Sequence, residues 1–292
     1  MPHAQPAILS PVPAAGRFLV FGLAPDANVA AALHRLREIR LGGGTVIGLG
    51  EPLVKALRAT LPGLRTFPGL SGAGCTFPST QGALWVSLGG EDGGALLHEA
   101  RTLGKLLGSG FLLDEEVSSF RYAGGRDLSG YEDGTENPKG RKAEEAALAR
   151  GVPGIAGSSF VAWQRYVHNL DYLAQLSTRA RDHLIGRHHG TNSELAGAPA
   201  SAHVKRAAQE TFEPTAFMLR RSMPWGGLAE HGLAFVAYGA SLEAFERVLR
   251  RMAGLDDGVV DGLLQFTRAV SGGYYWCPPL HGGRLDLRAL GL

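Results

Sequence analysis

Apolar positions along this chain follow two periods in turn. Residues 17–23 (RFLVFGL) form a continuous apolar run rich in strand formers. Over residues 28–41, Val29, Ala32, Leu33, Leu36 and Ile39 recur at helical spacing. Residues 45–49 (TVIGL) read as a short strand. Residues 51–60 read as a brief helix ended by Pro62-Gly63, and 83–88 (ALWVSL) as another strand. Leu96, Leu97, Ala100, Leu103 and Leu107 mark one face of a helix over 94–107, and 111–122 completes the set as a strand. The order β-α-β-β-α-β is the ferredoxin-like arrangement.

After a glycine-rich loop over 124–140, the order resumes. Residues 159–167 (SFVAWQRYV) predict a strand and 170–185 a helix. Residues 215–223 and 232–238 (GLAFVAY) predict two strands, 242–252 a helix and 274–276 a short last strand. Each half then carries an antiparallel sheet with helices on one face, an α+β fold. The expected division is an N-terminal half, 1–140, and a C-terminal half, 141–292. Residues 186–213 make a connection long enough to imply function or disorder.

Composition narrows the class. Glycine supplies 42 of 292 residues, about twice its usual share of ~7%. These glycines lack the three-residue period of collagen. Their other uses are tight turns and close backbone approach. Lysine and arginine total 29 against 27 acidic residues, a net charge of +2. With no basic block, this excludes a dedicated nucleic-acid binder. Cys75 and Cys277 are the only cysteines, so a disulfide framework, a thiolate zinc site and an iron–sulfur cluster are excluded. No apolar run reaches the ~18 residues of a membrane span. The first residues, MPHAQPAILSPVPAAG, lack the pattern of a signal peptide. The expected location is cytoplasmic.

Gly42-Gly43-Gly44-Thr45 is not followed by Gly-Lys-Ser/Thr and does not link a strand to a helix, so it reads as a turn and not a phosphate loop. Ten histidines are present, none in an HExxH pattern. A single axial histidine for haem needs no such pattern. Two segments carry the most information. Gly130-Tyr131-Glu132-Asp133-Gly134-Thr135-Glu136-Asn137-Pro138 has the composition of a turn. Its glycines would also let backbone approach a bound ring, and the Gly134, Thr135 and Glu136 amides could cradle an anionic group such as a propionate. In Leu219-Arg220-Arg221-Ser222-Met223-Pro224-Trp225-Gly226, strand alternation sets Met218, Arg220 and Ser222 on one face and Phe217, Leu219 and Arg221 on the other. One arginine can then enter a pocket while its neighbour faces away. Both could equally be edge-strand charges. Leu233 and Phe235 share a face of the next strand and could form that pocket's apolar wall.

These motifs together resemble the dye-decolourising peroxidases, most closely the compact bacterial B-type. GYEDGTENP, with its GxxDG core, is similar to that family's signature. Ser201-Ala202-His203-Val204 resembles the segment bearing its axial histidine, and RRSMPWG its arginine strand. Ile185-Gly186-Arg187, His231-Gly232-Leu233 and the stretch from Asp257-Gly258 to Phe266-Thr267 fall in the family's order. The likeness spans nearly the whole chain.

The resemblance implies tandem ferredoxin-like halves of the dimeric α+β barrel type, with haem b held mainly by the second half. It implies oxidation of dyes, phenols and other small aromatic reductants by hydrogen peroxide. His203 would ligate the iron through Nε2, with Asp261 accepting from Nδ1. Asp133 and Arg220 would form the distal pair that drives O–O heterolysis, with Ser222 holding a distal water. Arg187 would pair with a haem propionate. Leu233 and Phe235 would limit access, and Trp225, Tyr274, Tyr275 and Trp276 are either electron relays or packing. The family also implies a homo-oligomer. The last residues, Gly282 to Leu292, are either packed on the chain or a neighbouring subunit, or a peptide that loads the protein into an encapsulin-type compartment. The alternative activity is a haem-handling protein of deferrochelatase type with incidental peroxidase turnover.

Overall fold

The computed structural model describes residues 3–292; Met1 and Pro2, which open the N-terminal half, lie outside the described residues. The first half runs β1 (Ala15–Leu23), α1 (Val29–Glu38), β2 (Thr45–Gly50), α2 (Glu51–Ala56), β3 (Leu70–Gly72), β4 (Cys75–Phe77), β5 (Leu84–Gly90), α3 (Gly93–Leu107) and β6 (Phe111–Phe120). The second runs α4 (Arg141–Ala147), β7 (Ser159–His168), α5 (Leu170–Gln175), α6 (Thr178–Ile185), α7 (His203–Arg206), β8 (Leu219–Arg220), β9 (Met223–Gly226), β10 (His231–Gly239), α8 (Glu243–Met252), β11 (Thr267–Ala269), β12 (Gly273–Cys277), β13 (Leu280–His281) and β14 (Arg284–Leu285). The fold is α+β with ferredoxin-like order in each half.

The two sheets do not stay separate. Within the first half β1 pairs with β5 and β6, and β2 with β5; within the second, β7 pairs with β10 and β12, and β10 with β9. Gly50 pairs with Tyr275 across β2 and β12, and Ser119 with Trp225 across β6 and β9. These two seams close eight antiparallel strands into a barrel, which leaves those strands no free edge.

Closure explains why the strands are apolar on both faces. Phe18, Val46, Trp85, Trp163, Val236 and Tyr275 point into the barrel and form one core. Their neighbours Leu19, Ile47, Val86, Ala162, Ala237 and Trp276 point outward, where α1, α3 and α8 cover them. The period of two therefore sorts residues between two cores, not between core and water. Trp225, Tyr274, Tyr275 and Trp276 are all buried.

Two expected elements are divided. The helix expected over 170–185 breaks at Leu176–Ser177, because Ser177 caps α6 by accepting from Ala180 N at 3.2 Å. The strand expected over 215–223 begins only at Leu219 and is broken at 221–222, with β9 resuming from Met223 to Gly226. Before Leu219, buried Gln209 takes the backbone partners: Ala216 N donates to its carbonyl, and Met218 N to its side-chain oxygen. Residues 42–45 form a turn into β2, Thr45 N donating to Gly42 O at 3.2 Å. In the tail, Leu285, Leu287 and Leu290 are buried in the chain's own core. No helix among the described residues is long and apolar enough to cross a membrane.

Candidate active site

The outer face of β10 and the inner face of α8 do not meet along their whole length. Leu233 and Phe235 from β10, with Phe245, Val248, Leu249 and Met252 from α8, wall a cavity that is partly open to solvent. Ile185, His203, Arg220, Leu263, His168 and the loop from Asp127 to Asp133 also line it. A second recess shares Glu132, Asp133, Ile185, His203 and Arg220 with it and extends to Gly134, Thr135, Glu136 and Arg187. The mostly apolar lining suits a ligand with a large apolar surface.

His203 opens α7, a single turn pinned at both sides. Gly262 N donates to Ser201 O at 2.7 Å, and Arg206 N to Ala202 O at 3.1 Å. Gly186 closes α6 in the left-handed region (φ +92°), and a β-carbon there would lie 2.3 Å from Val204 Cγ2. Only glycine both ends α6 and admits α7 at this distance. His203 Nδ1 lies 2.8 Å from Asp261 Oδ2. Asp261 is 1% exposed, and its other oxygen accepts from Leu263 N at 2.8 Å. A carboxylate accepting at Nδ1 places the ring proton there and leaves the Nε2 lone pair free. Nε2 has no hydrogen-bond partner among the described residues.

Arg220 is fixed through its backbone. Its N donates to Asn137 Oδ1 at 2.9 Å and its carbonyl accepts from Asn137 Nδ2 at 3.0 Å. The asparagine of GYEDGTENP thus ties that loop to the arginine strand. Gly134 turns the loop with φ +75°, and a β-carbon there would sit 2.7 Å from Asn137 Nδ2. So Gly134 makes room for this bracket. Arg220 Nε is buried and unpartnered. The Asp133 carboxylate lines both recesses and makes no hydrogen bond among the described residues.

Other expected residues fall differently. Arg187 lines the outer recess but already donates to Glu136 Oε1 at 2.6 Å and to Asn192 O at 2.9 Å. Thr135 Oγ1 accepts from Asn192 Nδ2 at 3.0 Å. Ser222 is buried and is not part of the cavity lining; Val236 N donates to its hydroxyl at 3.4 Å.

Two polar pairs in the cavity wall were not singled out from sequence. Tyr131 donates to Asp182 at 2.6 Å, and burial together with that carboxylate raises the phenol well above its ordinary value. His168 Nε2 lies 3.0 Å from Asp127 Oδ1, and its Nδ1 lies 2.7 Å from the Thr267 hydroxyl. Burial pushes the Asp127 carboxyl up, but hydrogen bonds from His168 and Ser129 outweigh this and hold it below the ordinary carboxylate value. The available signal was a histidine ending an otherwise apolar strand run.

The donor set fits a haem. One histidine offers a free Nε2 into an apolar cavity, backed by a buried carboxylate. An unpartnered guanidinium nitrogen belongs to the same lining. Comparison with known proteins is decisive here. Residues 124–282 match the family described as Dyp-type peroxidase, C-terminal.

The chain belongs to the Dyp-type peroxidase family.

By family it is a haem-dependent peroxidase. The dye-decolorizing peroxidase of Mycolicibacterium paratuberculosis is 31% identical over 301 residues, covering 95% of this chain and 84% of that protein. That of Mycobacterium tuberculosis is also 31% identical, covering 94% and 88%. Among solved structures, a dye-decolorizing protein from V. cholerae superposes with a TM-score of 0.84 at 31% identity, covering 93% and 96%. A variant of Rhodococcus jostii RHA1 DypB, in complex with heme, gives 0.86 at 30% identity, covering 94% and 96%. These Dyp-type relatives favour the peroxidase reading over the haem-handling one.

Proposed function

We propose that this chain holds haem b through His203 and uses hydrogen peroxide to oxidise dyes, phenols and other small aromatic reductants. One observation carries the reading: Asp133, Arg220 and the free Nε2 of His203 belong to one apolar cavity. Haem, when bound, supplies the redox chemistry that splits the peroxide O–O bond.

The chain's own residues do the rest. Asp133, with no partner to satisfy its carboxylate, accepts the proton of one peroxide oxygen and returns it to the other, which leaves as water. Such positioned proton transfer contributes ~10²–10⁴-fold. The guanidinium of Arg220 stays charged throughout and stabilises the negative charge that develops between the oxygens. Its backbone bracket by Asn137 fixes the point from which that side chain reaches into the cavity. Leu233 and Phe235 narrow the space, so peroxide enters while bulkier reductants give up electrons from outside it. Asp261 keeps the His203 proton on Nδ1, which holds Nε2 ready for iron.

Absorption spectra of the purified, haem-loaded protein test this, together with turnover of an anthraquinone dye. Peroxide should change the Soret band and start dye bleaching, and His203→Ala should abolish tight haem binding. A His203→Ala protein with an unchanged Soret band and axial ligation would overturn the assignment.

A further inference from the structure

A second cleft lies beside the haem-binding helix. α7 contributes His203 to the cavity, while its Lys205 and Arg206 line a separate recess with Arg247, Arg250 and Arg251 of α8. The recess holds about 630 Å³ and is widely open to solvent. Five cations face two carboxylates, Asp256 and Asp257, which leaves an excess of positive charge.

The carboxylates are already engaged. Asp257 takes both terminal nitrogens of Arg206 at 2.7 Å, and Asp256 lies 3.4 Å from Arg250. The other three cations have only neutral partners. Arg251 donates to the Thr211 hydroxyl at 2.7 Å and lies 3.3 Å above the Phe212 ring. Arg247 donates to the carbonyls of Glu213 and Pro214, and Lys205 to that of Ala198. Arg206 is 5% exposed, yet its Nε has no partner. Like charges held this close repel one another, and a buried donor without an acceptor is costly. Burial, and then the neighbouring Arg206 charge, push the Arg251 guanidinium below its ordinary value. An anion in the cleft would relieve the repulsion among the cations. Guanidinium forks match tetrahedral oxyanions in particular, because each fork offers two parallel donors.

We propose that this cleft binds an oxyanion of the phosphate or sulfonate class carrying at least two negative charges. The cleft adjoins the outer recess of the haem site, with Lys205 and Thr211 lining both, and uses none of the residues assigned to peroxide chemistry.

Calorimetric titration of inorganic pyrophosphate into the haem-loaded full chain tests it, with ionic strength held constant by sodium chloride. One saturable site is expected. Arg247→Gln with Arg251→Gln should weaken it by about tenfold or more, since each removes a charged hydrogen-bond donor. If that double variant melts early, Arg250→Gln on the exposed rim serves instead, with an expected loss of about threefold. A parallel titration with 1,5-naphthalenedisulfonate separates the sources. Binding of the disulfonate in the same cleft assigns an aromatic sulfonate, and binding of pyrophosphate alone assigns a free or nucleotide phosphate. Heat no greater than the salt control for both probes, or variants that bind as the unaltered protein does, would overturn the proposal.

Discussion

Replacing Asp261 by asparagine probes how the chain prepares His203. The carboxylate makes two bonds from one buried position: Oδ2 to His203 Nδ1 and Oδ1 to Leu263 N, both at 2.8 Å. An asparagine fills the same volume but cannot make both. With its oxygen toward His203, its amide N–H groups face the Leu263 N–H, donor against donor. Turned over, the amide faces Nδ1 as a donor, which moves the ring proton to Nε2 and blocks metal ligation. In the better orientation a charge-assisted bond of ~1.5–3 kcal/mol becomes a neutral one of ~0.5–1.5 kcal/mol. The loss of about 1–2 kcal/mol corresponds to haem affinity falling about 5–30-fold. Soret titration of the haem-free protein measures this directly, and its melting temperature separates a local effect from unfolding. A less basic imidazole also favours the ferric state less, so the midpoint potential should rise. An Asp261→Asn protein that binds haem within about twofold of the original, at an unchanged potential, would refute the argument.

Arg220→Ala should slow the reaction with peroxide by about 10²–10³-fold, as loss of a preorganised electrostatic group does, and Asp133→Asn should slow it less; stopped-flow mixing ranks them, and an unchanged Arg220→Ala rate would sink the ranking. Asp127 titrates below its ordinary value of 3.8 in the folded chain, so its stabilising contribution is fully present above that value and is lost as pH falls through the lower folded one. The melting-temperature gap between the unaltered chain and Asp127→Asn should therefore be present at pH 5 and shrink below pH ~4; a gap that stays unchanged down to pH ~2 contradicts the lowered folded-state value.

Much of this protein was legible in its residues because the relevant forces are local. Helical spacing in residues 94–107 and the apolar runs at 17–23 and 159–167 identify elements, since backbone geometry sets the period at which side chains share a face. The motifs around Asp133, His203 and Arg220, far apart in sequence, line one cavity. Periodicity reports that a face is buried, however, and not what covers it. Only the tertiary structure decided that the strands turn one face into a barrel and the other toward helices, because the seams join residues as distant as Gly50 and Tyr275. It also decided that Asn137 brackets Arg220, that Arg187 meets Glu136, and that Ser222 is drawn to Val236 rather than the cavity. Each of these outcomes is a choice of hydrogen-bond partner between residues far apart in sequence or on different strands, and folding settles which of them lie within reach.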